Sequence, residues 1–158
     1  MLNFRKKGFS LIEVLVVITI IGILASIVLT NLGVARNKAK NTRIMADLSQ
    51  IRNMAASIES ESDPPAYSSL CSGNDLNTTP GSHNYIAQVF LIREDIRTQL
   101  KGSGVLTPGT DISCQTNTDG TSYCVNIALL GGGFYCIDST GYAGTSKPSC
   151  SAVNFDCE

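Results

Sequence analysis

From Val14 to Ala35 the chain carries no charged residue, and this unbroken apolar run constrains its fold more than any other feature. As a helix its 22 residues would rise about 33 Å at about 1.5 Å per residue, enough to cross the hydrocarbon core of a bilayer. Arg5, Lys6 and Lys7 precede the run, followed by Gly8-Phe9-Ser10-Leu11-Ile12-Glu13. A secretory signal peptide would have a shorter apolar region and a small-x-small cleavage site. Here Ala25 and Ser26 are preceded by Ile23 and Leu24 instead. A plain membrane anchor fits the length but leaves Glu13 unexplained, because a carboxylate in hydrocarbon costs up to about 3 kcal/mol on insertion scales. An acid in that position calls for a partner.

The segment Gly8-Phe9-Ser10-Leu11-Ile12-Glu13 resembles the cleavage motif of type IV prepilins and of the pseudopilins of type II secretion. The resemblance implies that a membrane peptidase cuts after Gly8, that Phe9 becomes the methylated amino terminus, and that Glu13 is the fifth mature residue. Arg5, Lys6 and Lys7 would belong to a discarded leader held in the cytoplasm by positive charge. The cut would create an ammonium on Phe9 that can meet Glu13 of a neighbouring copy, so that two costly charges become a pair in an apolar bundle and fix its register. Many members of the family carry a proline where Thr30 stands. No proline occurs between Met1 and Ser62, although Gly22 could loosen the helix locally.

Beyond the membrane run, Ile44, Leu48, Ile51, Ala55 and Ile58 recur at spacings of three and four, the stripe of an amphipathic helix. Arg36, Lys38, Lys40, Arg43, Asp47 and Arg52 fall off that stripe. Asp63-Pro64-Pro65 stops the helix, so a single helix of about 80 Å is expected from Phe9 to Glu61. The stripe covers about two heptads, fewer than a coiled coil requires, and packing against a sheet is the expected arrangement. Residues 66–83 read as loop. Tyr85, Val89, Ile92, Ile96 and Leu100 predict a second helix closed by Lys101-Gly102, with Arg93, Glu94, Asp95 and Arg97 on its wet side. Ile112 to Thr116 and Ser122 to Leu129 flank an Asp119-Gly120 turn, and Phe134 to Asp138 follows Gly131-Gly132-Gly133 as a third strand. Tyr123, Val125, Ile127 and Leu129 share the face expected to meet the helix, with Cys124 and Cys136 turned away from it.

The fold class is therefore α+β: a long amino-terminal helix, transmembrane then amphipathic, packed on a small antiparallel sheet. The expected divisions are a leader over 1–8, a membrane and assembly helix over 9–35, an amphipathic stem over 36–61 and a head over 62–158. All six cysteines, Cys71, Cys114, Cys124, Cys136, Cys150 and Cys157, lie after the apolar run, with no C-x-x-C pair. An even count in a loop-rich region beyond a membrane segment reads as disulfides formed outside the cytoplasm. Cys124 and Cys136 could bridge each other or hold the tail, and fifteen pairings remain open.

Charged residues make up 16% of the chain and the net charge is −1, which gives no electrostatic case for a nucleic-acid partner. The charge is uneven: nine acids against four bases from Ser62 onward, five bases against three acids from Arg36 to Glu61. The sequence holds no G-x-S-x-G, H-E-x-x-H or P-loop pattern, and no cofactor or metal is expected. His83 sits in a polar loop as a surface residue. Asn74, Asp75 and Asn77 are close together but lack EF-hand spacing, and turn formation accounts for them. The sequence thus reads as a non-enzymatic filament subunit of adhesion, motility or DNA uptake, or as a secretion pseudopilin. It would be held in the inner or cytoplasmic membrane with its head outside, then polymerised with other pilins by an assembly machinery into a cell-surface or periplasmic filament. A single-pass anchored enzyme or binding module is the alternative of another class.

Overall fold

The computed structural model describes residues 8–146, Cys150 and 155–157. The leader cations Arg5, Lys6 and Lys7, and most of the carboxy-terminal tail, lie outside the described residues. Contacts divide the chain into one unit ending at Arg36 and a second spanning Asn37–Glu158. Helix α1, Leu11–Glu61, contributes to both.

In the first unit α1 is apolar on every side. Its large side chains are exposed, from 39% at Leu32 to 82% at Leu11, and it is long and apolar enough to cross a membrane. Its polar side chains bond back to the helix that carries them: Thr19 Oγ1 to the Val16 carbonyl at 2.7 Å, Ser26 Oγ to Gly22 at 3.0 Å, Asn31 Nδ2 to Ile27 at 3.1 Å. The two hydroxyl donors therefore need no water, as a hydrocarbon environment demands.

The second unit is built on the amphipathic end of α1. Ile44, Leu48, Ile51, Ala55 and Ile58 are at most 2% exposed, the whole of the expected stripe. They join Val89, Ile92 and Ile96 of α2 (Ile86–Lys101) and one face of a four-stranded antiparallel sheet. That sheet runs in chain order through β3 (Ile112–Thr116), β4 (Tyr123–Ala128), β5 (Phe134–Asp138) and β6 (Ala143–Ser146). Register places Val125 opposite both Cys114 and Ile137, and Ile127 opposite both Ile112 and Tyr135, so the inward face is a continuous apolar surface. A two-stranded hairpin, β1 (Cys71–Ser72) and β2 (Asp75–Leu76), packs beside β3. At the β3–β4 turn Gly120 has φ +68°, and a Cβ there would come within 2.9 Å of the Ala66 side chain. Its carbonyl accepts the Tyr67 amide at 2.6 Å.

Four expectations need correcting. The sheet has four strands rather than three, and the expected loop over 66–83 contains the β1–β2 hairpin. The charged side of α2 is only partly wet: Arg93 clamps Asp75 of β2 at 2.6 Å, with side chains 19% and 12% exposed, while Glu94, Asp95 and Arg97 stay partly exposed. Solvent is also met by Phe90 and Leu91. Asp47, off the apolar stripe by spacing, is only 6% exposed, because α2 brings Asp95 over it.

Polar side chains of α1 pin the loops of the head. The Asn41 amide donates to the Leu130 carbonyl and accepts the Leu130 amide, both at 2.9 Å, pairing with a main chain as a strand would. Arg52 donates to the Gly141 and Tyr142 carbonyls in the β5–β6 turn. Arg43 meets Asp95 of α2 at 2.5 Å.

Candidate functional site

Gly8, Phe9, Ser10 and Glu13 lie together at the start of α1 and are all exposed. A Cβ at Gly8 would meet nothing within 4 Å, so nothing in the chain's own packing demands glycine there. Phe9 is unpacked, its ring free for whatever surrounds the helix.

Glu13 is better partnered than its sequence context suggests. Its Oε2 accepts the main-chain N–H of Ser10 at 3.0 Å, while Glu13's own amide donates to the Ser10 carbonyl at 3.1 Å. This is the return arm of a capping box, in which the acid at the third helical position satisfies an orphan donor of the first turn. The negative charge also opposes the positive end of the helix dipole. The pattern Ser10-x-x-Glu13 before an apolar run was the signal for it, and sequence reasoning passed it over. The chain therefore holds its acid against its own helix start, and the carboxylate's remaining lone pairs stay open to a further cation.

All six cysteines are paired: Cys71–Cys114, Cys124–Cys150 and Cys136–Cys157. Of the alternatives open to Cys124 and Cys136, the structure adopts the tail. Cys124 opposes Asp138 and Cys136 opposes Asn126, so the two half-cystines are diagonal neighbours, about 7–8 Å apart at Cα in such a ladder. That exceeds the usual disulfide span. They do face away from the main core, but not into solvent. With Cys150 and Cys157 they make a second buried cluster on the outer face of the sheet. Sulfurs of Cys124, Cys136 and Cys150 lie within 4.8 Å of one another, a closeness produced by two adjacent disulfides, whose oxidised sulfurs are not thiolate ligands.

The remaining sequence candidates are structural. Asp75 is spent on Arg93. Asn77 donates to the Ser69 carbonyl and accepts the Thr79 amide, as a turn former does. His83 is half-buried rather than on the surface. Its Nδ1 accepts the Tyr85 amide at 3.1 Å, and burial holds its pKa below the ordinary value.

The family described as "Prokaryotic N-terminal methylation motif" matches residues 3–29. Over 44 residues the chain is 46% identical to the type II secretion system core protein G of Klebsiella pneumoniae, covering 28% of this chain and 31% of that protein. It is 41% identical over 49 residues to core protein G of Escherichia coli (strain K12), covering 31% and 34%. It is 51% identical over 44 residues to the type IV wide pilus major component PilA4 of Thermus thermophilus, covering 28% and 34%. The matched segment is about a third of the length of these curated relatives. No solved structure matches the chain.

An exposed apolar helix opening on Gly8-Phe9, together with a disulfide-stapled α+β head, defines a pilin-like protein. Over its amino-terminal segment the chain carries the prokaryotic methylation motif and is similar to a type IV pilin and to type II secretion core proteins.

Proposed function

We propose that the chain is the structural subunit of a type IV pilus-like filament. In this reading residues 1–8 are a leader removed by prepilin peptidase, 9–35 the membrane and assembly helix, 36–61 the stem, and 62–158 the extracytoplasmic head. Phe9 becomes the methylated terminus. The subunit waits in the inner membrane until assembly machinery adds it to the filament base, where apolar helices exchange lipid for one another. The chain performs no catalysis; its work is mechanical.

The observation that carries the reading is Glu13, an acid in the first turn of α1 directly before the uncharged run Val14 to Ala35, engaging one N–H of its own chain. A neighbour's Phe9 ammonium would neutralise it, and a displaced register would leave both charges unpaired in an apolar bundle. Mass spectrometry of amino-terminal peptides from native membranes should find a mature chain starting at methyl-Phe9. An intact leader in filament-competent material would overturn the reading and leave a simple membrane-anchored module.

A pseudopilin of type II secretion is the second reading, favoured by the identity to core protein G of two species. Location distinguishes the two: fibres on the cell surface support the pilus, short periplasmic fibres needed for export support the pseudopilus.

A further inference from the structure

A groove of about 420 Å3 opens on the head between the tip of the β1–β2 hairpin and the end of β3, with Phe155 at its side. We propose that this groove is a binding site for neutral carbohydrate. Its lining supplies Ser72, Asn74, Gln115 and Thr116, two carboxamides and two hydroxyls, and no charged side chain among the described residues. None of these four side chains is bonded to another described residue. Their donors and acceptors are therefore open to a ligand, whereas Asp75 and Asn77 nearby are committed to the fold.

The chemistry selects the ligand class. Without a cation in the lining, phosphate, sulfate and carboxylate ligands have nothing to neutralise them. Without a carboxylate, a metal ion or an amine has none either. Groups that both donate and accept, beside one half-exposed aromatic ring, suit a molecule whose rim carries hydroxyls and whose faces carry C–H bonds. A peptide would instead require a row of free main-chain groups, and the Asn74 carbonyl at this position is already taken by the Cys114 amide at 3.2 Å.

The groove is also fixed before any ligand arrives. The Cys71–Cys114 disulfide joins its two walls, and Cys136–Cys157 anchors the chain two residues beyond Phe155. A two-residue turn at Gly73 and Asn74, with φ of 59° and 64°, holds the hairpin tip. Polar contacts to a saccharide are individually weak, and rigidity of this kind reduces what binding must spend on ordering the site.

The test uses the full chain in detergent micelles, with saturation-transfer NMR against glucose, galactose, N-acetylglucosamine, N-acetylgalactosamine and lactose. At least one of these sugars should receive saturation. Phe155→Ala and Gln115→Ala should each weaken binding about tenfold, with unchanged near-ultraviolet circular dichroism showing that the head has kept its fold. Adding sialic acid or sulfate to the sugar should give no gain. Absence of transfer to every sugar, binding that survives both variants, or a preference for the anionic sugars would each overturn the assignment. Glu13→Ala should bind as the parent does, and Phe155→Ala should still assemble, so this result stands apart from the filament reading.

Discussion

Asp47 illustrates how a single side chain departs from its sequence pattern. Burial, with the Asp95 carboxylate beside it, pushes its pKa up to about 7, while Arg43 opposes the rise. Its Oδ2 is buried without a partner among the described residues. In the unfolded chain the group titrates near 3.8, so between there and about 7 the folded head holds a proton that the unfolded chain has released. The associated stability is fully present below about pH 4 and is lost as pH rises through 7. Asp47→Asn keeps the shape, gives up the proton dependence, and can donate to Asp95. It should raise the melting temperature by about 4 °C at pH 8, on the basis of about 1 kcal/mol, and leave it nearly unchanged at pH 5. Tyrosine circular dichroism of the full chain in micelles reads both, and equal effects at the two pH values would discard the explanation. No periodicity argument could have found this, because the residues that bury Asp47 are some fifty positions away in α2.

Among the elements, α1, α2, β3, β4 and β5 were legible because each buries one face against a common core, and burial writes a period into the chain. The β5 bounds were read as they stand, from the glycines before it and the alternation within it. β6 was missed because Ala143-Gly144-Thr145-Ser146 has no apolar alternation; it exists through pairing with β5. β1 and β2 are two residues each, shorter than any period, and only Gly73-Asn74 marked the turn between them. Equally silent was the role of Asn41, one polar residue in a polar stretch, whose amide closes two 2.9 Å bonds on Leu130. Asn41→Ala would leave that N–H and carbonyl without partners next to the core, at a cost of about 1–3 kcal/mol. Hydrogen exchange should then quicken at Leu130 and through Gly131–Gly133 while β3 and β4 keep their protection. Uniform acceleration over the head would mean that Asn41 serves global stability rather than that loop.

For the whole molecule, the residues proposed for cleavage and assembly could be singled out because they are contiguous, whereas the groove assembles from three separated segments and left no trace in the sequence. The partnering of Glu13 by Ser10 also changes what a test of assembly must separate. An isolated subunit needs an acceptor at position 13 to finish its helix start, and the proposed filament needs a negative charge there to hold a neighbour's ammonium. Glu13→Ala removes both, so its failure to assemble would not say which was lost. Glu13→Gln divides them, since its amide oxygen still accepts the Ser10 N–H but carries no charge. Inserted in the membrane, the Gln variant should accumulate to the parent level and protect the Ser10 amide from exchange. It should nevertheless assemble at least about tenfold less, as fits the loss of one desolvated charge pair. The Ala variant should lose the amide protection as well. Filaments of the Gln variant as abundant as those of the parent would place the acid's importance in the helix cap alone, and the ammonium–carboxylate register would have to be abandoned.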